Sequence, residues 1–318
     1  MRATLTLVAL ALLSSCAPKP GPRAPAADAI APPVDLALLR RAGIERAALR
    51  CNSENRWGTD LRGDSVAGAA DLVAALGPAA PTDDDARAEL QERLRSMLFW
   101  RMVRAVLIEG DNNNLGAFPL LGHTWTDADG TLRPVVVFRS GITPTPEAPG
   151  SCFRTLLEDG DVRHVVNLFD GKIPVADLVA AEARAAAAAG ASYVTATDEE
   201  GGGYGRWREA LKEHYDDPVR RGEAFHAIAR LIQEQILAPA GASPRGNVHL
   251  HCGGGMHRSG IIAGLIEKCV NRAPMAQVLA HYRFHVAWHA DDRTGGYEEG
   301  NVRVLQDFDC GLLVAPGH

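Results

Sequence analysis

The chain has no excess of positive charge. Its 318 residues carry 33 Lys and Arg against 39 Asp and Glu, a formal charge of −6. That balance lacks the basic surplus with which duplex-binding proteins meet phosphates, so no nucleic-acid partner is expected. Aromatic residues are scarce at 6%. The six cysteines are too few and too irregularly spaced for a disulfide-built miniprotein. No two of them form a C-x-x-C pair, which excludes a zinc ribbon and a thioredoxin-like centre. The apolar stretch from Leu5 to Leu13 is too short to span a bilayer. What the chain does have is length and 46% hydrophobic residues, enough to bury a sizeable core in one domain or two.

Its first residues read as an export signal. Arg2 precedes that apolar stretch, and Ser14, Ser15 and Cys16 supply the small residues of a cleavage site. Leu13-Ser14-Ser15-Cys16 resembles the lipobox of bacterial lipoproteins. The resemblance implies that residues 1–15 are removed as a signal peptide and that the Cys16 thiol is acylated. It also implies a lipid membrane as partner, and Ala17 after the cysteine implies the outer membrane of the cell envelope. Residues 16–34 are almost all Ala, Pro and Gly, which cannot bury enough apolar surface to fold and make an extended tether.

Residues 35–110 read as a helical extension without chemistry-bearing motifs. Helical periodicity spans 35–50 and 82–109, with Thr82 as an N-cap and Asp83, Asp84 and Asp85 favouring the positive end of the second helix. From 111 to 318 the pattern alternates. Strands are expected at 134–139, 162–169, 191–197 and 247–251, and helices at 151–158, 175–189 and 219–237. This order predicts an α/β domain, its central and mostly parallel sheet flanked by helices.

The last of these strands runs into Cys252-Gly253-Gly254-Gly255-Met256-His257-Arg258-Ser259-Gly260 and then an apolar helical run. A tight glycine turn between strand and helix points successive N–H groups inward as an anion nest, with the positive helix end behind it. Cys252 at its entry would face the central atom of a tetrahedral oxyanion. Arg258 at its exit can hold two of that anion's oxygens at once. The glycine spacing does not fit G-x-G-x-x-G, which argues against a dinucleotide loop.

This stretch resembles the His-Cys-x5-Arg-Ser/Thr signature of the cysteine-based protein tyrosine phosphatase superfamily, with His251, Cys252, Gly255, Arg258 and Ser259 at its positions. It is most similar to the dual-specificity branch, including bacterial members with a histidine before the arginine, as His257 is here. Phe138-Arg139-Ser140-Gly141 and Val165-Val166-Asn167-Leu168 resemble the early strands of those proteins, so the resemblance covers about two thirds of the chain. It implies a phosphomonoester hydrolase acting through a phosphocysteine on Cys252, without metal or other cofactor. Gly253, Gly254, Gly255, Met256 and His257 would bind the phosphoryl group with Arg258. Ser259 would stabilise the departing thiolate, and His251 would order the loop. A thiol near pKa 8.5 would have to fall toward roughly 5 for this role.

The resemblance also asks for a general acid on a mobile loop. Asp198, after the third strand and before Gly201, Gly202 and Gly203, is preferred on topology. Spacing to the cysteine instead selects Asp216 or Asp217, of which Asp217 reads equally well as a helix cap. His281, His285 and His289 recur every four residues with Asp291 and Asp292 beyond, a spacing that can ligate zinc but that also suits groups packed beside the active-site helix. Cys51, Cys152, Cys269 and Cys310 allow one or two disulfides of open connectivity in an oxidising compartment. The substrate class is a phosphorylated protein, phosphotyrosine first, or a small phosphomonoester. Gly253, Gly254 and Met256 lack the lysines that inositol-phosphate enzymes of the superfamily carry in this loop. The alternatives are an inositol-phosphate phosphatase, an envelope module that binds phosphate without turnover, and a purely structural lipoprotein.

Overall fold

A computed structural model describes residue 51 and residues 61–109, 113–143, 145–169, 176–196, 203–238, 245–286 and 295–313. These form two compact units: 61–109 in one, residue 51 and 113–313 in the other. The expected helix at 35–50 and the export signal lie outside the described residues.

In the smaller unit, helices α1 (Leu61–Ala75) and α2 (Asp84–Glu109) pack against each other. Gly68 permits the approach, since a Cβ there would stand 3.1 Å from Leu98 Cδ1. The cap of α2 is Asp83 rather than Thr82. Its Oδ1 accepts from the Ala86 N–H at 2.8 Å, and a carboxylate in that place also complements the helix dipole. Helix α1 is absent from the sequence expectations because Gly63 and Gly68 interrupt its apolar period.

The larger unit is α/β. Its strands β1 (Gly116–Thr126), β2 (Leu132–Gly141), β3 (Val162–Asn167), β4 (Ser192–Thr195) and β5 (Asn247–Cys252) form one sheet in the order β1-β2-β5-β3-β4. Strand β1 runs antiparallel to β2, and every other pairing is parallel. The sheet is therefore mixed and mostly parallel. The edge strand β1 is an addition to the expected elements. Pro119 and the left-handed Gly122 (φ 81°) break its alternation, and the pairing register slips between Pro119 and Thr124, features a sheet tolerates only at an edge.

Among the described residues seven α-helices accompany the sheet: α3 (Cys152–Glu158), α4 (Ala176–Ala188), α5 (Trp207–Glu213), α6 (Pro218–Ile232), α7 (Arg258–Leu265), α8 (Met275–Val286) and α9 (Gly295–Asp307). Ser151 caps α3, its Oγ accepting from the Arg154 N–H at 3.3 Å. Asp217 caps α6, accepting from Val219 and Arg220 with Pro218 in the first turn. Helix α4 gives way to Gly190 at φ 71°, the left-handed exit that glycine makes without steric cost. The expected helix at 219–237 is α6 plus a π-helical turn, Gln233–Leu237.

Strand β5 lies between β2 and β3, and all six of its residues are buried. Val248 and Leu250 point to one face of the sheet. Asn247, His249 and His251 point to the other, where the Phe153 ring meets His249 at 5.7 Å. The segment expected as a short apolar strand is thus polar on one whole face. That face is otherwise filled by Phe138, Val165, Phe153, Leu156, Leu157 and Ala186. Asn247 is paired on both sides, accepting from Val136 N–H and donating to Gly160 O, each at 2.8 Å. Because β2, β3 and β5 are parallel, their carboxyl ends meet at one edge, where open α/β sheets place their ligands.

Among the described residues two disulfides form, Cys51–Cys152 within the core and Cys269–Cys310, and Cys252 is free. Beside the second, Lys268 Nζ donates to the carbonyls of Leu305, Gln306 and Phe308 at 2.9, 2.9 and 2.8 Å, clamping the end of α9. Among the described residues no helix is long and apolar enough to cross a membrane. The 41-residue separation of Cys269 and Cys310 restricts the unfolded chain by about 4 kcal/mol on a loop-entropy basis. Replacing both by Ala should lower the urea midpoint of unfolding accordingly. An unchanged midpoint would show that the bridge adds nothing.

Candidate active site

The carboxyl end of β5 delivers Cys252 to a loop that closes at Arg258, the first residue of α7. What shapes this loop is the fate of its carbonyl groups. The Gly253 carbonyl accepts from Ile142 N–H at 3.0 Å, and the Gly254 carbonyl from Asn114 Nδ2 at 3.1 Å. Arg139 Nη2 donates to the carbonyls of Gly255 at 2.6 Å and Met256 at 3.4 Å. Four successive C=O groups are held from behind, which turns the intervening N–H groups toward the open side. His257, at the N-cap position of α7, supplies no side-chain cap, leaving the helix's positive end directed at the same space.

Glycine is required here for two separate reasons. Gly255 has φ 68°, a conformation that L side chains adopt only with strain. A Cβ at Gly255 would also lie 2.4 Å from Gly141 N and 2.6 Å from Ser140 C. The turn leaving β2 and the loop leaving β5 therefore cross backbone to backbone. Asn114 supports the crossing. Held at φ 46°, it reaches the Gly254 carbonyl, the His285 carbonyl at 3.1 Å and His285 Nδ1 at 2.8 Å.

Cys252 is buried, with Sγ 3.4 Å from Ser259 Oγ. Burial alone would push the thiol up. The Ser259 hydroxyl and backbone N–H, with the charges of Arg258 and Arg208, more than offset it and hold the thiol below its ordinary value. Arg139 is buried beneath the loop. Desolvation draws its guanidinium down to about 10, against the pull of Cys252, Glu267 and Tyr282, so it stays cationic at neutral pH. Arg258 is half-buried and lies 5.9 Å from the centroid of the Phe169 ring, which also backs Gly253. Chemically, such a site can hold a tetrahedral oxyanion against a sulfur that ionises more readily than a free thiol.

His251, Cys252, Gly253, Gly254, Gly255, Met256, His257, Arg258 and Ser259 are thus brought together in one strand-loop-helix turn. Cys16 and Asp198 lie outside the described residues. Asp217 is engaged as the α6 cap, and Asp216 pairs with Arg303 at 3.1 Å. Both line a cleft of about 480 Å³ with Arg208, Lys212, Ile261, Asn301 and Arg303. Of the histidine row, His281 Nδ1 meets Glu267 Oε1 at 2.9 Å and His285 is buried against Asn114. His289, Asp291 and Asp292 are outside the described residues, among which no group of three such side chains is placed to hold a metal ion.

Several site residues escape a reading of the motif alone. Arg139 is legible in hindsight as the one charge following Val135-Val136-Val137-Phe138, a fully buried run. Glu182 is the fully buried acid of an alanine-rich helix. Asn114 and Arg208 carry no sequence signal, since only the tertiary fold brings them near the loop. No family model, curated protein or solved structure matches this chain.

Gly255→Ala should displace the loop. Oxyanion affinity, measured as protection of Cys252 from alkylation by inorganic phosphate, is expected to fall at least about tenfold, since the overlap exceeds ordinary strain of 1–3 kcal/mol. Unaltered protection would mean that the crossing of the two turns does not shape the site.

Proposed function

We propose that the chain hydrolyses phosphomonoesters through a phosphocysteine on Cys252, with phosphotyrosine or mixed phosphorylated side chains of proteins as its first substrate class. The observation that carries this reading is Cys252, its Sγ beside Ser259 Oγ, at the mouth of a loop whose four carbonyls are tied back. We infer also that the sheet follows the dual-specificity phosphatase plan, in which the central strand runs directly into the phosphate loop. The order β2-β5-β3 with parallel pairing supports it.

The thiolate attacks phosphorus in line, and the bond to the ester oxygen breaks as the S–P bond forms. Loop N–H groups and Arg258 hold the three equatorial oxygens, whose charge redistributes in a loose transition state. Asp198 supplies the proton to the departing oxygen. Asp217 is the weaker candidate because its carboxylate is spent on capping α6. Water then attacks phosphorus, phosphate leaves, and the thiolate is regenerated beside the Ser259 hydroxyl. Backbone donors, a thiolate and a guanidinium supply the chemistry without a metal or other cofactor.

Export and acylation at Cys16 complete the reading, placing the enzyme on the bacterial cell envelope, at the outer membrane. The pairing of Cys51 with Cys152 and of Cys269 with Cys310 supports an oxidising compartment. The lack of a basic side chain at Gly253, Gly254 and Met256 favours a single phosphoryl group over an inositol polyphosphate.

Reduced full-length protein should release p-nitrophenol from its phosphate with a burst, and rapid quenching should trap phosphate on Cys252. Cys252→Ser should abolish both, and Arg258→Lys should lower kcat/KM by about two decades or more through loss of the bidentate clamp. Retained phosphate binding without any trapped phosphate would replace the enzyme by a binding module.

A further inference from the structure

Behind the loop sits a carboxyl that the phosphoryl chemistry above does not use. Glu182, on α4, is fully buried, and three elements converge on it. The Thr143 N–H, just past β2, donates to Oε1 at 2.9 Å. The Tyr193 hydroxyl, on β4, donates to Oε2 at 3.1 Å. His251 Nε2, on β5, stands 3.1 Å from that same Oε2, yet a proton carried on Nε2 would make no hydrogen bond to it or to any other atom among the described residues. Cys252 follows His251 directly. On the far side of His251 the His249 ring stacks at 5.0 Å, its Nε2 2.8 Å from Ser140 Oγ.

The titratable groups facing Glu182 are therefore Tyr193 from β4 and His251 from β5, with His249 behind the latter. From α4 itself and from the β2 exit come only uncharged groups, and no arginine or lysine of the described residues acts on the carboxyl. Without a counter-ion, burial pushes Glu182 up to about 8, the Thr143 N–H and Tyr193 O–H opposing it only in part. Burial likewise holds His251 down to about 3, partly offset by the Cys252 backbone. Near neutrality the pair is a carboxylic acid facing a neutral imidazole.

One hydrogen-bond assignment then fits the contacts of Oε1 and Oε2. Oε1, as the carbonyl oxygen, accepts from Thr143. Oε2, as the hydroxyl oxygen, accepts from Tyr193 and has one proton to give, toward His251 Nε2. An imidazole that accepts at Nε2 carries its own proton on Nδ1.

We propose that Glu182, as an uncharged carboxylic acid, is a positioning residue for Cys252, donating to His251 Nε2 and so fixing the histidine tautomer at the strand end from which the thiol projects. Its consequence for turnover rests on the phosphatase reading. The contacts themselves do not, and neither does the test.

Imidazole 15N shifts in 15N-histidine-labelled full-length protein report the tautomer directly, with His251 assigned by difference from His251→Asn. The wild type should hold His251 protonated on Nδ1 at neutral pH. It should switch to Nε2-protonated as Glu182 ionises near pH 8. Glu182→Gln, whose amide N–H can make the same donation and cannot ionise, should keep the Nδ1 form throughout. Glu182→Ala should release the tautomer and raise the apparent pKa of Cys252, read by iodoacetamide alkylation, by about one unit. A wild-type His251 protonated on Nε2 at neutral pH, or a switch that survives in Glu182→Gln, overturns the proposal. Loss of p-nitrophenyl phosphate turnover with these spectra intact would instead count against the phosphatase reading alone.

Discussion

The larger unit's site depends on one constraint, that the carbonyl oxygens of residues 253–256 are satisfied from behind the loop. A peptide plane carries its N–H opposite its C=O, so fixing four carbonyls on one side commits the neighbouring amides to the other. The donors that do this come from far along the chain: Asn114 before β1, Arg139 on β2 and Ile142 just beyond it. The antiparallel hairpin at the sheet edge and the central strand thus serve one purpose, to hold a glycine turn open toward solvent.

That arrangement places two guanidinium groups differently. Arg139 is desolvated and spends its donors on backbone, whereas Arg258 is half-buried on the loop's exit with its plane near Phe169. The first builds the cradle, and the second stands at its exit beside Phe169. Neither is interchangeable with lysine, because an ammonium lacks the planar, delocalised fork of a guanidinium. The same logic applies to Ser259, which lies 3.4 Å from the sulfur. Its contribution, added to the nearby positive charge, outweighs a burial penalty that alone would push the thiol up.

Much of this was legible in the sequence, and what was not has identifiable causes. Strong β-branched runs and glycine exits gave β2, β3, β5 and α4 close to their observed bounds, since those signals are local. The contiguous loop residues, Cys252 to Ser259, were legible for the same reason. Strand β1 was hidden by Pro119 and Gly122, and α1 by two glycines, because tertiary pairing there overrides propensity. The polar face of β5 was hidden by its company: His249 and His251 alternate with Val248 and Leu250, and only the partners Ser140 and Glu182 explain why a buried strand keeps two imidazoles. Asn114 and Glu182 lie 138 and 70 positions from Cys252 in the numbering, beyond any spacing rule. The disulfide connectivity was hidden for the same reason, since spacing alone left it open.

The claim on which everything else stands is the inward direction of the loop amides, and it can be observed without catalysis. In 15N-labelled Cys252→Ser protein, a titration with inorganic phosphate should move the amide protons of residues 253–257 downfield together and with one saturating profile, as charge-assisted hydrogen bonds form. Amide resonances in that stretch that stay in place while phosphate binds elsewhere, or does not bind, would contradict the account.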